Sequence, residues 1–195
     1  MEKLIVTDVD GVLLDWENHF HDYMHSQGHE RAYGQPSYWQ ELHYPELSKV
    51  EARKMVYHFN TSAWIMGIPA FRDARSGVAR LVEGGYKFVA ITAMGNDSYS
   101  HMARKFNLEQ MFGSDVFVDV ICTDMYDPNG KRAALAKYVR NGRLWIEDKP
   151  SNAELGAECG YRSVLMLHPH NEEHVSDNVE QVNSWADICE IALND

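Results

Sequence analysis

Two acids two residues apart, Asp8 and Asp10, follow the apolar run Leu4-Ile5-Val6-Thr7 and open the stretch Asp8-Val9-Asp10-Gly11-Val12-Leu13-Leu14-Asp15. A short β-branched run of this kind reads as a first strand that delivers acids to its C-terminal edge. Residues two apart on an extended chain point the same way, so both carboxylates can face one small site. Gly11 lets the chain turn sharply where a side chain would clash. Such a pair suits nucleophilic attack by one aspartate, proton transfer by the other, and a divalent cation held between them. A plain strand followed by an Asp-Gly turn has the same local signature, so the reading depends on the elements downstream.

Those elements alternate from about residue 86 onward. Lys87–Thr92, Val116–Ile121, Leu144–Ile146 and Arg162–Leu167 read as strands, and Ser98–Phe106, Lys131–Val139 and Ala153–Cys159 as helices. Nearly continuous apolar strands separated by helices predict an α/β fold, a Rossmann-like parallel sheet covered by helices on both faces. Ligands of such sheets bind beyond the carboxyl ends of the strands, where Asp8, Thr92 and Asp148 all fall. The segment 16–72 breaks the pattern. It is rich in aromatic and histidine residues, with helix-like stretches at Glu17–Ser26 and Glu46–His58 and no strand between them. This predicts a small helical cap inserted after the first strand, residues 16–72, on a core formed by 1–15 and 73–195. A helix over Phe71–Val82 returns to the sheet, Gly84-Gly85 ends it, and Ser184 caps a last helix.

Composition bounds the function. The 195 residues are 45% hydrophobic, enough for one good core, and the formal charge of −11 supplies no basic stripe to coat polymeric nucleic acid. Cys122, Cys159 and Cys189 are scattered without a CxxC pair and read as reduced thiols. No apolar run approaches the ~20 residues that span a bilayer, and the first strand follows Met1-Glu2-Lys3 at once. The expectation is a soluble cytoplasmic protein with no membrane partner.

Asp8-Val9-Asp10-Gly11-Val12, Ile91-Thr92-Ala93, Lys131 and Ile146-Glu147-Asp148 occur in the order of the four motifs of the haloacid dehalogenase-like phosphohydrolases, which this sequence resembles over nearly the whole core. The resemblance implies a Mg²⁺-dependent phosphomonoesterase. Asp8 would attack phosphorus and carry an aspartyl-phosphate. Asp10 would protonate the leaving alkoxide and then deprotonate the attacking water. Thr92 and the backbone at Ala93 would bind phosphoryl oxygens, and Lys131 would place a compact cation beside nucleophile and phosphate. Asp148, Asp8 and the backbone carbonyl of Asp10 would hold Mg²⁺, with Glu147 orienting the site from behind.

At a finer level, Asp8 to Trp16 followed by Phe20 looks like the start of the 5′(3′)-deoxyribonucleotidases. So do the aromatic pair Tyr38-Trp39, Asp148-Lys149-Pro150, and the tail residues His170-Asn171, His174 and Ser184-Trp185-Ala186-Asp187. The substrate implied is a deoxyribonucleoside monophosphate, its base stacked on cap aromatics, for which Phe20, Trp39 and Trp64 are the candidates; the similar nucleotidases are commonly dimers, so a homodimer is implied too. The sequence departs from that family after Thr92, where Ala93-Met94-Gly95-Asn96 replaces a Ser-Pro and leaves Asn96 or Ser98 to supply the missing hydroxyl or amide. The rival readings are a phosphatase of the same fold acting on a sugar phosphate, and a non-catalytic Mg²⁺- or nucleotide-binding protein. Histidines at 21, 25 and 29 and at 168, 170 and 174 lack the acid or cysteine that would complete a zinc tetrahedron.

Overall fold

The computed structural model describes residues 3–32, 37, 40–125, 127 and 129–194. Its centre is the strand that opens the sequence. In β1 (Lys3–Thr7) the side chains alternate between two apolar layers. Ile5 packs with Phe88, Leu144, Val164 and Trp185 on one face, while Leu4 and Val6 pack with Val89, Ile91, Trp145 and Tyr161 on the other. A strand buried on both faces belongs inside a sheet rather than at its edge.

The other strands are β2 (Tyr86–Ala93), β3 (Phe117–Thr123), β4 (Gly142–Glu147), β5 (Arg162–Met166) and β6 (Val179–Val182). They form one six-stranded sheet in the order β3-β2-β1-β4-β5-β6, with every pairing parallel. The expected α/β architecture is thus the observed one. Among the helices, α1 (Trp16–Ser26) and α2 (Lys49–Asn60) lie in the insertion after β1, followed in the chain by α3 (Ala74–Glu83), α4 (Ser98–Phe112), α5 (Gly130–Tyr138), α6 (Pro150–Glu158) and α7 (Trp185–Leu193). Apolar residues of α3, α4 and α7 fill one face and those of α5 and α6 the other.

Several boundaries differ from expectation for local reasons. Helix α4 runs past Phe106 because Leu108, Met111 and Phe112 continue its apolar stripe, and it stops at Gly113, whose φ of 104° few other residues adopt. Helix α6 starts at Pro150 rather than Ala153, since the ring presets a first-turn φ. The short β6 was not expected, for its Glu180 and Gln181 interrupt the apolar pattern. In the cap, Ser48 and Glu51 form a reciprocal capping box that starts α2 at Lys49. Ser184 caps α7 as expected, its hydroxyl accepting from Asp187 N at 3.2 Å.

The insertion is not packed as an island. Phe20, Tyr23, Met24, Tyr44, Phe59, Ile65 and Ile68 are buried in the same apolar cluster as the sheet face behind α3 and α7. No helix among the described residues is long and apolar enough to cross a membrane.

Candidate active site

The loop after β1 is held by its apolar residues, which frees its acids. Val9, Val12, Leu13 and Leu14 are fully buried, and the Val9 carbonyl accepts from Leu13 N at 2.8 Å and Leu14 N at 2.9 Å. Asp8 N donates to Ile146 O at 2.8 Å, which sets the loop beside the end of β4. Gly11 has φ 78°, and a Cβ there would lie 2.9 Å from Cγ of Asp148 and closer still to Oδ2. The glycine is therefore needed twice, for its conformation and for the approach of the two loops.

Asp8, Glu147, Asp148 and Lys131 form the buried centre. Lys131, on the first turn of α5, places Nζ 2.9 Å from Asp8 Oδ2 and 2.7 Å from Glu147 Oε2. Glu147 Oε1 also accepts from the backbone of Asp148 at 3.2 Å and of Lys149 at 3.1 Å. Burial opposes ionisation of Glu147, but Lys131 and these hydrogen bonds hold its pKa below the ordinary value. Burial and repulsion from Glu147 push the carboxyls of Asp8 and Asp148 well up. Burial likewise works against the charge on Lys131, yet Asp8 and Glu147 raise its pKa above that of a free lysine.

A hard divalent cation fits this donor set. One carboxylate oxygen from each of Asp8, Glu147 and Asp148 lies within 4.8 Å of the others, all three residues are buried, and all the donors are oxygen. Three acids share one lysine, so negative charge is in surplus. Glu147 already binds Lys131 and two backbone amides, which leaves Asp8 and Asp148 as the side chains available to an ion.

Asp10 sits apart from this group. Its Oδ2 accepts from Nη2 of Arg104 at 2.7 Å, and Thr92 Oγ1 stands 3.5 Å away. Burial raises its pKa, and Arg104 opposes that rise. The arginine is missed by motif reasoning. It lies on the buried stripe Ser100, Ala103, Arg104, Asn107 and Leu108 of α4, where a charged residue at an apolar helical position is the only signal.

A brace from the β5–β6 connection holds the two loops. His168 Nε2 and the Gly11 carbonyl are 2.7 Å apart. Asn171 donates through Nδ2 to the carbonyls of Asp148 (2.6 Å) and Met166 (2.9 Å), and its Oδ1 accepts from His168 N (2.8 Å). Helix α7 adds a second brace: the buried Trp185 donates its indole N–H to Val12 O at 2.9 Å. Asp73 at the head of α3 accepts from Trp185 N and Ala186 N, both at 3.0 Å.

A cavity of about 1020 Å³ opens over these groups, lined by Asp8, Asp10, Thr92, Ala93, Lys131 and Asp148 from the core. The sheet and its loops thus bring all six of these sequence-predicted residues to one space. The cap wall is different from the one expected. Phe20 is buried under Trp16, the rings stacked at 4.8 Å and 12°, and Trp64 lies against His19 and Tyr23; neither lines the cavity. Phe20 is taken into the apolar cluster with Tyr23 and Phe59, whereas Trp64 lies on the outer surface, 36% exposed. Trp39, with Tyr38, falls outside the described residues. Among the described residues, the insertion presents the rings of Trp16 and Phe71 to the cavity, together with Asn18, Arg31, His43, Arg53 and Asn60. Trp16 is fixed from behind by Phe20 and Phe59, and its indole N–H donates to Asn60 Oδ1 at 3.0 Å. Neither Asn96 nor Ser98 lines the cavity, and Asp97 between them caps α4.

No family model matches the chain. A curated relative is an uncharacterized 32.4 kDa protein of Enterobacteria phage T4 from the gp30–rIII intergenic region, 22% identical over 208 residues that span 96% of this chain and 69% of the phage protein. Among solved structures, the haloacid dehalogenase-like family protein SP0104 from Streptococcus pneumoniae superposes with a TM-score of 0.68 at 13% identity, covering 97% of each chain. The D,D-heptose 1,7-bisphosphate phosphatase of B. bronchiseptica, solved with magnesium and phosphate, superposes with a TM-score of 0.60 at 15% identity and covers 98% of each. At these identities the likeness is one of fold, and the fold is the haloacid dehalogenase-like one.

Proposed function

We propose that the protein is a Mg²⁺-dependent phosphomonoesterase that works through an aspartyl-phosphate on Asp8. The observation that carries this reading is the convergence of Asp8, Asp10, Thr92, Lys131 and Asp148 on one cavity at the carboxyl edge of the sheet. Asp8 attacks phosphorus while Asp10 gives a proton to the departing alkoxide; Asp10 then takes one from the water that cleaves the intermediate. Lys131 offsets charge on the nucleophile and the phosphoryl group, and Thr92 with the backbone at Ala93 binds phosphoryl oxygens. Mg²⁺, bound by Asp8, Asp148 and the carbonyl of Asp10, would neutralise charge that builds on the transferred group. The helices of residues 16–72 form a cap over a core of 1–15 and 73–195, and they exclude water from the first displacement.

The substrate we favour is a deoxyribonucleoside monophosphate. Trp16, held rigid by Phe20, Phe59 and Asn60, is a stacking surface at the cavity wall, and stacking on such a ring contributes ~1–3 kcal/mol per base. A sugar phosphate is the second reading, favoured by the polar side chains of Asn18, Arg31, His43, Arg53 and Asn60 on the same wall. A panel of nucleoside monophosphates and sugar phosphates separates the two. Preferred turnover of deoxynucleotides, with KM rising on Trp16→Ala, supports the nucleotidase. Turnover confined to sugar phosphates, indifferent to Trp16, removes it and keeps the chemistry.

A further inference from the structure

We propose that Arg104 is the positioning residue for Asp10, fixing its carboxylate in one rotamer at the cavity wall. This rests on the phosphomonoesterase reading above. Arg104 is fully buried on α4 and does not line the cavity, so it reaches substrate only through Asp10. Its Nε points to Met94 Sδ at 3.3 Å and its Nη2 donates to Asp10 Oδ2 at 2.7 Å. Met94 in turn is buried just beyond Ala93, so the guanidinium plane is set by the end of β2 and by its own helix. With Thr92 Oγ1 at 3.5 Å on the same oxygen, Oδ2 is occupied, whereas Oδ1 is enclosed and has no hydrogen-bond partner among the described residues.

Carried by the Asp10 carboxyl, the proton moves to the ester oxygen as the bond from that oxygen to phosphorus breaks and the bond from Asp8 to phosphorus forms. In the second half, water adds to phosphorus, its proton goes to the Asp10 carboxylate, and the Asp8–phosphorus bond breaks to release phosphate. A carboxylate held in one rotamer stays in place for both transfers, and Arg104 supplies that hold from outside the reacting space. A guanidinium is suited to the task because its donors sit in a fixed plane.

The test compares an alkyl phosphomonoester, whose leaving oxygen needs a proton, with p-nitrophenyl phosphate, whose leaving group departs without one. In Arg104→Met, kcat/KM for the alkyl ester is expected to fall roughly 100-fold, and for p-nitrophenyl phosphate at least ~10-fold less than that. Arg104→Lys keeps a buried cation with poorer geometry and gives the same contrast at smaller amplitude, so the comparison stands even where the Met variant fails to fold. Adding Arg104→Met to Asp10→Asn is expected to cost nothing further on the alkyl ester, because the arginine acts only through that carboxylate. Equal losses on the two esters, or a further loss in the Asp10→Asn background, would overturn the assignment. Failure of the unaltered protein to release phosphate from either ester would instead remove the phosphatase reading and this inference with it.

Discussion

At the scale of single residues, Lys131 is the side chain on which most of the site's charge balance depends. Lys131 is bonded to both Asp8 and Glu147, and all three are buried. Removing one member of a buried ionic group leaves the others uncompensated, which costs about 3–5 kcal/mol. Lys131→Met is therefore expected to lose that much in urea unfolding along with the phosphatase activity proposed above; a fully stable variant would show the charges to be balanced elsewhere. The residues of this site differ in how plainly the sequence announced them. Asp8, Asp10, Thr92, Lys131 and Asp148 each stand at the end of a strand or the start of a helix, where type and position can be read together. Arg104 could not be read that way, because its meaning depends on the phase of α4 and on Asp10 arriving from a strand 94 residues away. The aromatics Phe20 and Trp64 were equally opaque: an aromatic in this segment can pack inward, face the cavity or sit on the outer surface, and the packing around Phe59 buries the first while the second stays exposed against His19.

At the scale of elements, the strands carry the acids and two connections hold them still. The first five strands of the sheet were legible because they are largely apolar runs, but the braces were not, since they pair residues distant in sequence. The bond from Trp185 to Val12 crosses 173 positions and that from His168 to Gly11 crosses 157. Trp185→Phe keeps an aromatic ring in the core and leaves the Val12 carbonyl unpaired, an expected loss of about 1–3 kcal/mol. Because Val12 shares its loop with Asp8 and Asp10, turnover should fall as well. Unchanged stability and unchanged turnover would show that the loop holds its shape without α7. The edges of elements were the least readable part: β6 has polar residues at its centre, and α4 ends where Gly113 permits rather than where the apolar pattern weakens.

At the scale of the whole molecule, one consequence is a dependence of folding on pH that belongs to His168. Burial first, then His170 and Arg72 nearby, bring its pKa down from 6.5 to about 4. The neutral ring is the form the fold accepts, stacked on Phe71 at 4.9 Å and bonded to Gly11 O. Its contribution is complete above pH 6.5 and is lost as pH falls toward 4, where the unfolded chain takes up a proton that the folded one resists. At ~1.4 kcal/mol per pH unit the loss amounts to about 3 kcal/mol. Urea unfolding of the parent protein and of His168→Gln, both in EDTA, should therefore diverge across that window, the parent losing more. Parallel profiles would contradict the assignment.

In the reading proposed above, the acids gathered at the carboxyl edge of the sheet hydrolyse a phosphomonoester with Asp8 as nucleophile. The most direct measurement is phosphate release by the intact protein with Mg²⁺ and with EDTA, set beside Asp8→Asn. Turnover is expected to require the metal and to disappear in the variant while its thermal unfolding remains cooperative. Turnover that persists in EDTA or survives Asp8→Asn would contradict it.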